Sequence, residues 1–140
     1  KDQYKVLQFR DFGDERGNLV VMEGSGNDIP FTIQRVFYIY GSDSTVIRGC
    51  HANLRSEFVL INVCGNSKVR VDNGSESEVI LLDKPMKGLY LKNLIWKEMY
   101  DFSPDSILLV LASEHYDESE YLREYDQYVK YMQAEAGTHE

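Results

Sequence analysis

The sequence predicts an all-β fold, a sandwich or barrel of antiparallel strands closed by one C-terminal α-helix. Three observations carry that expectation. Turn signals recur about every ten residues through 1–112, with no helical period between them. The segments they separate are rich in Val, Ile, Leu, Tyr and Phe, which suit a pleated, half-buried surface. After residue 112 the period changes to 3.6. The 140 residues fit one domain spanning 1–140, with a β body over about 4–112 and a helix over about 117–133. A chain of this size buries roughly two-thirds of its unfolded surface, so it needs no disulfide framework.

In order, the expected strands are 4–9, 18–23, 31–40, 45–47, 57–63, 68–72, 78–82, 89–92, 96–100 and 107–112. Gly, Asn, Asp, Ser and Pro clusters at 13–17, 24–27, 41–43, 72–75 and 103–105 supply the turns. Asn73-Gly74 reads as a two-residue type I′ hairpin, in which both central residues take positive φ. Within 31–40, alternation sets Val36, Tyr38 and Tyr40 on one face and Phe37 and Ile39 on the other. Val69-Arg70-Val71-Asp72 alternates and should wet one face, whereas 107–111 is continuously apolar and should lie inside a sheet. In the tail, Tyr121, Leu122, Tyr125, Tyr128, Val129 and Met132 share one helical face, read as packing on the β body. Asp117 and Glu120 have capping-box spacing, the acidic first turn suits the helix dipole, and 134–140 should fray.

The net charge of −8 is concentrated in the tail, where 112–140 hold eight acidic and two basic residues. Residues 1–111 hold fifteen acidic and thirteen basic, a near balance that leaves room for a cationic cleft. No basic stripe marks a double-stranded nucleic-acid partner, and no apolar run approaches the ~20 residues of a membrane span. The sequence opens Lys-Asp-Gln, without a signal-peptide pattern, so a cytoplasmic location is expected. Cys50 and Cys64 read as reduced, buried thiols.

Three histidines are present. His139 falls in the fraying end and His115 in the approach to the helix, read as structural or solvated. His51, in Arg48-Gly49-Cys50-His51-Ala52-Asn53 just after a strand, has more telling neighbours. Gly49-x-His51-x-Asn53-x-x-x-Glu57, followed by Gly65, resembles the first cupin motif. Pro85-Met86-Lys87-Gly88 through Trp96-Lys97 resembles the second. The implied fold is a cupin-type jelly roll, an antiparallel double sheet. Metal cupins supply three His and one Glu; here Asn53 and Lys97 stand at two of those positions. A protonated ammonium cannot ligate and an amide oxygen is a weak transition-metal ligand, so no metal is expected. Glu57 is then free to pair with Lys97 or another base.

A narrower resemblance spans nearly the whole chain. Asp14-Glu15-Arg16-Gly17-Asn18-Leu19-Val20, Pro30 through Tyr38, Arg48-Gly49-Cys50-His51-Ala52, Gly88-Leu89-Tyr90, Trp96-Lys97-Glu98-Met99, Asp101-Phe102-Ser103 and Val110 through Ser113, followed by Tyr116-Asp117-Glu118, resemble the WxcM-like cupins. These are the 3,4-ketoisomerases of dTDP-4-keto-6-deoxyglucose. The resemblance implies movement of the keto group from C4 to C3, an open cleft, a homodimer, no cofactor, and His51 as catalytic base. It also implies a place in dTDP-deoxysugar supply for bacterial surface glycans such as lipopolysaccharide O-antigen. Many members have a second His where Asn53 stands, and His or Arg at Lys97.

Carbonyl migration requires a proton taken from C3 and one returned to C4 through an enediolate. A histidine with an ordinary pKa of about 6.5 suits the first step. Donors must face the developing oxyanion, and Arg16, Lys97, Tyr38 and Asn53 are candidates from the matching blocks. Arg35 and Arg48 are the expected diphosphate ligands, since guanidinium groups bind phosphate bidentately. Glu98 completes the substrate-binding set. Tyr38 is read either as catalytic or as core, depending on whether it shares the face of His51. Trp96 and Tyr90 either stack on thymine or pack. Arg16 and Lys97, both flanking C4, favour the galacto-configured product. The competing functions are a cupin nucleotide-sugar epimerase and a non-catalytic nucleotide-sugar-binding cupin.

Overall fold

A computed structural model describes residues 3–138. The strands are β1 (Tyr4–Gln8), β2 (Arg10–Asp11), β3 (Val20–Val21), β4 (Arg35–Tyr40), β5 (Arg48–Asn53), β6 (Phe58–Cys64), β7 (Ser67–Asp72), β8 (Ser77–Leu82), β9 (Lys87–Leu91), β10 (Trp96–Tyr100), β11 (Ile107–Ala112) and β12 (Tyr121–Leu122). The helix α1 covers Tyr125–Thr138. One five-stranded sheet runs β1-β9-β6-β11-β4 and the other β12-β5-β10-β7-β8, with β2 and β3 as a separate pair. Every pairing is antiparallel. This is the expected double sheet with one C-terminal helix.

Alternation along the strands makes three apolar layers. Phe58 and Leu60 of β6 and Leu108, Val110 and Ala112 of β11 face Val69, Val71, Ile80, Leu82 and Met99 between the sheets. Val59, Ile61 and Leu111 point the other way, onto Phe9, Ile29 and Phe31. Ala52 and Trp96 lie on the outside of the second sheet, beneath Tyr128 of α1. Each fully buried Leu, Ile or Phe contributes about 1.5–3 kcal/mol, so the central layer supplies most of the driving force. The run 107–111 does lie inside a sheet, paired on both sides.

Several expectations need correction. Residues 45–47 form no strand; the strand begins at Arg48, and His51 sits within it rather than after it. The first part of 31–40 is irregular, and 18–23 pairs only at Val20–Val21. Asn73-Gly74 is not a two-residue turn. Asp72 pairs with Ser77, so the loop has four residues, 73–76. Only Gly74 has positive φ (98°), because Asn73 Oδ1 accepts from the backbone N–H groups of Ser75 and Glu76 at 2.9 and 2.8 Å. That Asx turn organises the loop locally. Cys64 is exposed and Cys50 half-buried.

The helix starts at Tyr125, not 117. Asp117 instead caps a single 3-10 turn, Glu118–Glu120, through Ser119 N–H. Tyr121 and Leu122 then pair with Asn53 and Ala52 of β5. The helical spacing of Tyr121 and Leu122 is therefore coincidental, while Tyr125, Tyr128, Val129 and Met132 do belong to α1. Tyr128 donates to the carbonyls of Asp72 and Leu94 at 3.0 and 2.8 Å. Residues 134–138 are helical rather than frayed, and His139 lies outside the described residues. Among the described residues no helix is long and apolar enough to cross a membrane.

Candidate active site

A cleft of about 460 Å³ opens between the sheets, walled by β4, β5, β10 and the segment 116–123. His51 is aimed into it by a β-bulge. In the β5–β10 register Lys97 pairs with His51 and Glu98 with Gly49, so Cys50 is the extra residue. Gly49 and Cys50 both have positive φ, 84° and 57°. At Gly49 a Cβ would stand 3.0 Å from the Lys97 carbonyl oxygen, which accounts for glycine there.

The His51 ring is partly buried, edge-on to Tyr121 with centroids 4.8 Å apart. Burial, with Lys97, Arg123 and Arg35 nearby, holds its pKa down at about 3, while Asn53 opposes that shift. The imidazole is therefore neutral near pH 7 with its lone pair free, but burial and the nearby cations leave it a weaker base than the ordinary value of about 6.5 expected from the sequence. Lys97 is 3% exposed, with Nζ 4.0 Å from the Phe58 ring centroid and 3.4 Å from Asn53 Oδ1. Burial lowers its pKa to about 7, against the pull of Glu120.

Arg35 lies inside the cleft. Its Nη1 donates to Tyr121 Oη at 3.4 Å, and its guanidinium carbon is 5.5 Å from the Phe37 ring and 5.6 Å from the Tyr116 ring. Its Nε and Nη2 are buried without acceptors, an unmet capacity for an anion. Arg48 stands exposed at the rim, and Arg123, held by Glu118 at 2.7 Å, covers the Tyr121 ring at 4.5 Å.

The donor set does not fit the metal of other cupins. His51 is joined there by an amide and an ammonium. Glu57 is turned away to accept from Tyr90 Oη, so the expected pairing with Lys97 is not made. Among the described residues no group of three or more His, Cys, Asp or Glu side chains converges as a metal site.

The family model described as "FdtA: WxcM-like, C-terminal" matches residues 2–133. This chain belongs to the WxcM-like family. A TDP-4-oxo-6-deoxy-alpha-D-glucose-3,4-oxoisomerase of Aneurinibacillus thermoaerophilus is 44% identical over 128 residues, 91% of each chain. QdtA, a sugar 3,4-ketoisomerase from Thermoanaerobacterium thermosaccharolyticum solved in complex with TDP, superposes with TM-score 0.91 and 41% identity, covering 95% of this chain and 96% of its own. A 3,4-ketoisomerase from Helicobacter canadensis gives TM-score 0.90 and 38% identity, with 93% and 97% covered.

In this WxcM-like chain His51, Lys97, Asn53, Arg35 and Arg48 come together, as the sequence suggests. Three other residues are placed elsewhere. Glu98 alternates to the opposite face from Lys97, where it accepts from Trp96 Nε1 at 2.9 Å and Arg70 Nη1 at 3.3 Å. Arg16 sits at a hairpin tip with its side chain 86% exposed, bound to Asp14 at 2.6 Å, outside the cleft. Tyr38 borders the mouth, but its side chain belongs to the exposed face of β4 and is 63% exposed. Trp96 packs edge-on against Tyr125 under α1, and Tyr90 packs near Phe31, so both are structural. Tyr116, Tyr121 and Arg123 are site residues absent from the expected set. Their signal is weak: three aromatic or charged residues inside a stretch whose spacing imitates a helix.

Proposed function

We propose that this chain is a cofactor-independent isomerase that moves the keto group of a dTDP-linked 4-keto-6-deoxyhexose from C4 to C3. The observation that carries this reading is a neutral imidazole, His51, opening on a cleft that holds a buried lysine and an arginine with unused donors. His51 takes the C3 proton. The C–H electrons form a C3–C4 double bond and the carbonyl π pair moves to O4, giving an enediolate. Lys97 and Asn53 are the polar groups beside His51 that meet that charge. Protonation at C4 and transfer of the O3 hydroxyl proton to O4 complete the 3-ketone. Arg35 and Arg48, with Arg123, hold the diphosphate, whose charge relieves the cations that depress the His51 pKa. Support for the substrate comes from the relatives: QdtA is solved with TDP, and a variant of it with TDP-4-keto-6-deoxyglucose.

The test is incubation with dTDP-4-keto-6-deoxyglucose in deuterium oxide, followed by NMR. The expected result is a carbonyl at C3 with deuterium at C4. Deuterium exchange with the carbonyl still at C4 would make the protein an epimerase, and binding with neither change a binding module. Of the pair on which the galacto product rests, only Lys97 lies in the cleft, so the same spectrum reads the C4 configuration.

A homodimer accompanies this proposal. Val36, Tyr38 and Tyr40 form an exposed apolar strip on the edge strand β4, which a second copy would cover. Sedimentation equilibrium should give twice the chain mass, and Tyr40→Glu should shift the distribution towards the single-chain mass. The free thiols Cys50 and Cys64 accord with a reducing, cytoplasmic setting.

A further inference from the structure

Tyr121 touches both halves of the proposed machinery, yet no step of the isomerisation uses it. Its ring meets the His51 ring edge-on, with centroids 4.8 Å apart. Its hydroxyl accepts from Arg35 Nη1 at 3.4 Å. One side chain thus spans the imidazole read as the base and the guanidinium read as a diphosphate ligand.

Neither of those two groups is otherwise well held. His51 Nδ1 is buried without a hydrogen-bond partner, so no bond at that nitrogen fixes the ring, and its orientation falls to packing. Among the described residues Tyr121 Oη is the one hydrogen-bond acceptor of Arg35, whose Nε and Nη2 have none. Nε and Nη2 form the edge of the fork that grips an oxyanion bidentately, and a bond at Nη1 leaves that edge clear. Tyr121 itself is fixed. Its backbone pairs in register with Asn53 of β5, two residues from His51. The preceding residue, Glu120, is fully buried, and its carboxylate accepts from the backbone N–H groups of Arg55 and Ser56 at 2.8 and 2.9 Å. The Glu120 carbonyl accepts from Leu54 N–H at 2.9 Å. The Arg123 guanidinium carbon stands 4.5 Å from the Tyr121 ring centroid, and the Tyr116 ring is 5.5 Å away.

In a sugar nucleotide the diphosphate is bonded through oxygen to C1, and C3 lies two ring carbons further on. The spacing between the anion and the reacting C–H is therefore set by the substrate, and the site must match it for the base to reach. We propose that Tyr121 is a positioning residue that fixes the placement of the His51 imidazole relative to the open edge of the Arg35 guanidinium, so that a hexose anchored by its diphosphate presents C3 to the base. This rests on the reading of His51 as the base and of Arg35 as a diphosphate ligand.

Titration calorimetry with TDP, which carries the diphosphate but no hexose, reads the Arg35 arm apart from turnover. Tyr121→Phe keeps the ring against His51 and removes the acceptor. It should raise the TDP Kd about 3–10-fold, the cost of immobilising one long side chain on binding, and raise KM in step. Its kcat should fall far less than that of Tyr121→Leu, which removes the ring as well. Tyr121→Leu should lower kcat by about 10–100-fold as the imidazole loses its alignment. In an Arg35→Ala background, Tyr121→Phe should leave the TDP Kd where Arg35→Ala alone puts it. Wild-type TDP affinity in Tyr121→Phe overturns the proposal, as does an equal loss with and without Arg35, or a kcat in Tyr121→Leu no lower than in Tyr121→Phe. The reading beneath it fails differently. Wild-type turnover in His51→Asn removes the base, wild-type TDP affinity in Arg35→Ala removes the anion ligand, and either result takes the proposal with it. Loss in both of those variants with no response at Tyr121 overturns the role of Tyr121 alone.

Discussion

His51→Asn should lower kcat about 1,000-fold, within the 10²–10⁴ range of general-base catalysis, while the melting temperature stays within a few degrees at neutral pH. Asparagine is smaller than histidine but keeps a polar group in a position that is only partly buried and lined by solvent-accessible cleft. Stability should diverge from the wild type in acid. The folded-state pKa of His51, about 3, lies below its ordinary 6.5. Between those values the unfolded chain binds the proton and the folded one does not, so the wild type loses stability as pH falls through that window. The variant lacks this liability and should melt higher relative to wild type at about pH 4–5 than at pH 7. Wild-type turnover in the variant would move the base elsewhere.

The second large effect is expected at Lys97. Lys97→Met should raise stability by about 1–3 kcal/mol at pH 7 and reduce kcat by about 100-fold or more. The side chain is 3% exposed, and its pKa falls from 10.5 to about 7 chiefly through burial. Between those values the unfolded chain holds more protons, so wild-type stability should climb as pH rises from about 7 to 10. Replacing the ammonium with an apolar group of similar length abolishes that slope. Thermal melts of both proteins at the two pH values check the sign. A variant less stable than wild type at pH 7 would show that Lys97 is tied to Glu120 and Phe58 more strongly than its burial costs.

Most of the β body is legible in the sequence because its cores are built by strict alternation. Leu108 and Val110 against Leu109 and Leu111 need only the period of two. The same rule separates Lys97 from Glu98, and grouping them by motif alone put Glu98 in the wrong place. It also puts Tyr38 opposite Phe37, as the structure finds. What alternation cannot reach is the bulge. Gly49 and Cys50 break the period and look like a loop, which hides β5 and makes His51 read as the residue after a strand at 45–47 that the structure does not form. The tail misleads for the opposite reason. Tyr121 and Leu122 fall by chance on the face of the helix that follows, and nothing local reveals that Glu120 caps residues sixty-odd positions earlier. That contact exists only once the sheets have formed.

The wall formed by 116–123 comes after β11 in the chain, so the ribosome makes it after both His51 and Lys97. A product ending at Ser113 would contain His51 and Lys97 with no carboxylate capping Arg55 and Ser56 and no tyrosine ring beside the imidazole. Translation therefore completes the cleft only after it has passed residue 123, and an earlier stop leaves His51 and Lys97 beside a cleft with one wall missing.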